Sequence, residues 1–161
     1  MTQLNIRTLI LACGNTLRSD DGIGPHLAAW AEQHYRADPS IRVISRQQWT
    51  PDLAEDLAHA EFALFIDCSI DAPPGSIQIR KVHPASPAAT PPNALSTHHL
   101  GAPELLSLTL ELYGSAPRSA QLLTIGAASL ELGEAFRPEV SAAIPEVRWL
   151  IEETLLRMIA E

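Results

Sequence analysis

Two unbroken apolar runs stand out in the hydrophobic pattern of the chain. Thr8-Leu-Ile-Leu-Ala-Cys13 ends at Gly14, and Phe62-Ala-Leu-Phe-Ile-Asp67 ends in a carboxylate. Their length and their bounding residues predict strands buried on both faces. Between them, Pro25 to His34 reads as a helix with Pro25 at its first position, where the missing N–H costs nothing. Ile41-Arg-Val-Ile-Ser45 is β-branched enough for a short strand. Thr50 as cap and Pro51 with Asp52 at the start predict a helix to about Ala60, with Leu53, Ala54 and Leu57 on its apolar face.

Beyond Asp67 the pattern changes. A Pro-Pro-Gly75 turn leads into Ser76-Ile-Gln-Ile-Arg-Lys-Val82, whose alternation suits an edge strand with one wet face. The short turn before it suits an antiparallel course. A proline-rich irregular stretch runs from His83 to Ala94. Pro103 and Glu104 then open a helix with Leu105, Leu106, Leu108 and Leu112 toward the core, and Gly114 stops it. Gln121 to Gly126 is the last strand. A helix from Pro138 to Ala160 closes the chain, with a kink or break expected at Pro145. Trp30 and Trp149 fall on apolar helix faces and are expected in the core. Strands alternating with helices predict a three-layer α/β/α fold around a twisted, mainly parallel sheet of about five strands.

Composition narrows the classes. The 161 residues suit one domain spanning residues 1–161, and 46% are apolar but only 5% aromatic, so Leu, Ile, Val and Ala must fill the core. A net charge of −8 leaves no basic surface for nucleic acid or an anionic membrane. No apolar run nears the roughly 20 residues that span a bilayer, and Met1 to Arg7 has no signal-type core. The two cysteines, Cys13 and Cys68, have no metal-type spacing. They read as small buried hydrophobes in a reducing, cytoplasmic setting.

The candidate chemistry gathers at one edge. Gly14-Asn-Thr-Leu-Arg-Ser-Asp-Asp-Gly-Ile-Gly24 forms a strand-to-helix loop, on the edge where open α/β sheets bind ligands. Asp67 ends a central strand on the same edge, and Ser96-Thr-His-His99 precedes a helix. Carboxylates with an imidazole suit a divalent first-row metal with open positions. A solvated, helix-capping turn fits the acid pair equally well on local grounds. Arg18 is expected to pair with Asp20 at the surface. Trp49, on the polar loop Arg46 to Pro51, suits either a peptide groove or half-buried packing. The chain contains no phosphate-binding Gly-Lys-Ser/Thr loop, no zinc-protease helix motif and no glycine-flanked nucleophilic serine. The loop also lacks the spaced glycines through which oxidoreductases approach a dinucleotide pyrophosphate.

The segment Gly14 to Gly24, then Phe65-Ile-Asp67 with Pro74-Gly75, then Ser96-Thr-His98, closely resembles the [NiFe]-hydrogenase maturation endopeptidases in motif order and spacing. The resemblance implies a cytoplasmic protease. Its task would be to trim a C-terminal extension from the hydrogenase large-subunit precursor once nickel is in place. Asp21, Asp67 and His98 match the family's functional residues and would meet nickel carried by the substrate, with other divalent metals able to occupy the site in isolation. His98 rather than His99 fits the pattern, and Asn15 and Asp20 would support loop geometry. Where many members have a Gly-Gly turn this chain has Arg46 to Pro51, and where many have Gln-Pro it has Ala127-Ala-Ser129. Those departures bear on which hydrogenase is served. A non-catalytic nickel checkpoint that holds the immature subunit is the alternative.

Overall fold

The computed structural model describes residues 5–86 and 100–161. Strand β1 (Thr8–Cys13) is buried at every position, and it lies between β2 (Ile41–Arg46) and β3 (Phe62–Ser69), parallel to both. Beyond β3 come β5 (Ser119–Gly126), also parallel, and β4 (Ile77–Lys81), antiparallel to β5. The order is therefore β2-β1-β3-β5-β4, the expected five-stranded, mainly parallel sheet. The neighbour of β4 differs from a simple hairpin. Although only a short turn joins it to β3, β5 is inserted between them, and Ile77 pairs with Ile125.

Alternation along the strands divides the core into two layers. Leu9 and Leu11 with Ala63 and Phe65 face α2 (Leu53–Ala58) and α3 (Ala102–Tyr113). Ile10 and Ala12 with Leu64 and Ile66 face α1 (Ile23–His34) and α4 (Pro138–Ala160). The result is three layers, α/β/α. No helix among the described residues is long and apolar enough to cross a membrane.

Several local expectations are corrected. Helix α1 begins at Ile23 after a 3-10 turn at Ser19–Gly22, so Pro25 stands in the third position, still among the amides with no helical partner. Thr50 bonds the Asp52 side chain rather than a helix amide. Helix α4 runs through Pro145 without a break. Both Pro145 and Ser141 are exposed, so the carbonyl that loses its partner lies open to solvent. Trp149 is 55% exposed and Leu112 59%. In α4 the buried positions Val140, Ala143, Val147, Ile151 and Leu155 form one stripe, and Trp149 is turned away from it. Trp30 is half-buried, stacked on His34 at 4.8 Å. Gly114 does stop α3, in the left-handed region at φ +67°.

Strands β1 and β3 stand side by side at the centre, and the connections leave them in opposite directions across the sheet. A crevice beyond their carboxyl ends is where such folds place ligands.

Candidate active site

The loop after β1 folds back on the strand it leaves. Gly14 adopts φ +152°, and a Cβ there would lie 2.0 Å from the Asp21 carbonyl oxygen. At Gly24 a Cβ would lie 2.2 Å from the Cys13 carbonyl oxygen, so both glycines are required for close backbone approach rather than for flexibility. Gly24→Ala is expected to cost about 3 kcal/mol, because the clash is with backbone that cannot swing aside. Denaturant unfolding checks this, and an unchanged midpoint would contradict it.

Side chains then lock the loop. Asn15 Oδ1 accepts from the Leu17 N–H at 2.9 Å, and the Asn15 N–H donates to Asp21 Oδ2 at 2.7 Å. Ser19, at φ +51°, donates its hydroxyl to the Glu131 carbonyl at 2.7 Å. Asp20 is fully buried. Its carboxylate accepts from three backbone amides: Ala128 at 2.8 Å, Ser129 at 3.0 Å and Arg137 at 2.8 Å. Asp20 therefore ties the loop to the segment between β5 and α4, and it makes no ion pair with Arg18. The surface pair expected from the sequence is absent because the acid points inward, toward amides that need an acceptor.

Asp21 points the other way. Its half-buried carboxylate and that of Asp67 both line a cleft of about 250 Å³; Asp67 does not end its strand as expected, since β3 continues to Ser69. Cys13, Gly14, Gln47, Gln48, Trp49, Leu100 and Gly101 complete the walls. Asp67 Oδ1 accepts from the Cys68 N–H at 2.8 Å, and Asp21 Oδ1 accepts from the Cys68 thiol at 3.1 Å. Ligand atoms of Asp21, Asp67 and Cys68 all fall within 4.8 Å of one another. His98 and His99 lie outside the described residues, as does the proline-rich stretch from residue 87 onward.

Electrostatically the paired carboxylates of Asp21 and Asp67 favour a cation in the cleft. Two carboxylates held this close repel each other, and a divalent ion at their edge removes the repulsion. The field reaches both thiols. Burial, then Asp67, pushes the Cys13 thiol well above its usual range. Burial, then the hydrogen bond and charge of Asp21, does the same at Cys68. Both therefore stay protonated at neutral pH. A carboxylate at such an edge can also accept a proton from water.

Three contributors escaped the sequence reading. Cys68 is more than a small hydrophobe, since its thiol donates to Asp21. Gln47 and Gln48 enter the cleft from the loop after β2, and nothing in a polar dipeptide announces that. Trp49 resolves toward packing, 6% exposed and edge-on to Phe65 at 5.1 Å, while one side still lines the cleft.

No protein-family model matches the chain. Hydrogenase 2 maturation protease of Escherichia coli strain K12 is 27% identical over 141 residues, 86% of this chain and 84% of its own length. Among solved structures, the hydrogenase maturating endopeptidase HybD of E. coli aligns with a TM-score of 0.70 at 22% identity, over 94% of this chain and 93% of that one. A hydrogenase 2 maturation peptidase from a Thaumarchaeota archaeon aligns at 0.66 and 25% identity, over 92% of this chain and 97% of its own. The chain is thus similar, in sequence as well as in fold, to the hydrogenase maturation proteases, the family that its glycine and aspartate motif resembles.

Proposed function

We propose that this chain is a cytoplasmic endopeptidase that removes the C-terminal extension of a [NiFe]-hydrogenase large-subunit precursor after nickel insertion. Asp21, Asp67 and His98 would meet the nickel that the substrate carries. The observation that carries the reading is the meeting of Asp21 and Asp67 on one cleft, although 46 positions of sequence separate them. The protease names of the relatives support the reaction class.

In this mechanism the acids act first as a docking test. Nickel held by substrate ligands with open positions offers the two carboxylates a positive partner. A nickel-free precursor leaves them repelling each other against the same surface, so immature substrate is rejected by a difference in binding energy. Hydrolysis then needs a polarised carbonyl and an activated water. Asp21 and Asp67 are the carboxylates in the cleft that can take the water's proton.

Incubating the chain with nickel-loaded and nickel-free precursor, followed by mass spectrometry, tests this. Loss of a short C-terminal peptide is expected from the loaded form, at least about a hundredfold faster than from the empty one, the scale of some 3 kcal/mol of differential binding. Binding without any mass loss would instead establish the non-catalytic checkpoint. Equal cutting of both forms would remove nickel from the account.

A further inference from the structure

We propose that Cys68 is a positioning residue for Asp21: its thiol, donating to Asp21 Oδ1, sets the spacing between the two acids of the cleft. The inference rests on the reading of Asp21 as a group that meets the substrate.

Asp21 belongs to a 3-10 turn, not to the sheet. One of its two side-chain anchors, the Asn15 N–H, is in the same loop and moves with it. The other anchor is Cys68, 47 positions away on β3. Cys68 is fixed in the ladder, in register with Ile125 of β5, and it directly follows Asp67. A hydrogen bond from that thiol therefore references one acid to the strand that carries the other. Its loss leaves Asp21 located by its own loop alone.

The three donor atoms lie close enough to hold a metal together, so direct ligation by the thiol is the rival. The walls argue against it. Cys13, Asp21 and Asp67 line the cleft and Cys68 does not. Cys68 packs instead with the hydrophobic layer beneath α1 and α4. By strand alternation its side chain leaves β3 on the face opposite to that of Asp67, so the thiol reaches Asp21 from the side of α1 and α4.

Cys68→Ser retains a donor and Cys68→Ala removes it. With nickel-loaded precursor, Cys68→Ala is expected to raise KM about tenfold, the scale of one hydrogen bond to a charged group. Its preference for loaded over empty precursor should fall in parallel. Cys68→Ser is expected within about twofold of the parent, since the hydroxyl keeps the bond. In the infrared spectrum of the free protein, the S–H stretch that disappears in Cys68→Ser should shift in Asp21→Asn.

Equal kinetics for Cys68→Ala and the parent would overturn the proposal, as would failure of serine to rescue. A thiolate-to-metal charge-transfer band on adding cobalt(II) to the free protein, lost in Cys68→Ser, would also overturn it in favour of ligation. Asp21→Asn separates the two levels. If that variant processes precursor normally, the reading of Asp21 itself fails; if it is inactive while Cys68→Ala is unimpaired, only the positioning role does.

Discussion

Asp21→Asn and Asp67→Asn are each expected to slow precursor processing by about a thousandfold or more, the range of losing a positioned proton acceptor, with the fold intact. Both carboxylates make their hydrogen bonds at the rim of the sheet, and both are half-buried. The asparagine oxygen can still accept from the Asn15 N–H at position 21 and from the Cys68 N–H at position 67, bonds that measure 2.7 and 2.8 Å with the native acids. Replacing one acid also removes a like-charge repulsion. The Tm should therefore stay within about 3 °C of the parent or rise slightly, the signature of groups kept for function at some cost in stability. His98→Ala is expected to lose processing as well. Paired activity and thermal-melting measurements check all three. Normal processing by the two asparagine variants would remove the acids from the mechanism.

The neighbouring acid should behave in the opposite sense. Asp20→Ala strips three backbone amides, those of Ala128, Ser129 and Arg137, of their acceptor at a site with no exposure. An unsatisfied buried donor costs about 1–3 kcal/mol, and relaxation of the loop offsets part of the sum. A loss of about 4 kcal/mol is expected, lowering Tm by roughly 10 °C for a chain of this size. Asp20→Asn, which keeps one acceptor oxygen, should fall between. Chemical denaturation gives the ranking directly. An alanine variant as stable as the parent would mean that water replaces the carboxylate at those amides, and that Asp20 is not the tie between the two loops.

The contrast between Asp20 and Asp21 shows where sequence reasoning runs out. Both stand in one glycine-rich loop, and local chemistry treats them alike. What divides them is which way each carboxylate points, and that is set by amides more than 100 positions away in sequence. Burial is easier to read. The unbroken apolar runs at Thr8–Cys13 and Phe62–Asp67 mark the two central strands, since only strands covered on both faces tolerate such runs. The end of α3 is legible because Gly114 can take the left-handed φ at little cost. Pairing is harder. The alternation in Ile77–Lys81 identifies an edge strand, but its partner is decided by β5, which begins only at Ser119. Cys68 shows a similar limit: a residue packed as a hydrophobe becomes a hydrogen-bond donor only because a distant loop brings Asp21 within 3.1 Å.

The most direct test of the account is X-ray absorption at the nickel edge. The spectrum of nickel-loaded precursor alone is compared with that of its complex with this protein, trapped at a temperature where cleavage is slow. On the proposed reading, Asp21 and Asp67 should add oxygen scatterers to the nickel shell on complex formation, fewer with Asp21→Asn and fewer still when Asp67→Asn is combined with it. A nickel shell that is the same in free precursor and in complex would contradict the claim that these carboxylates face the metal.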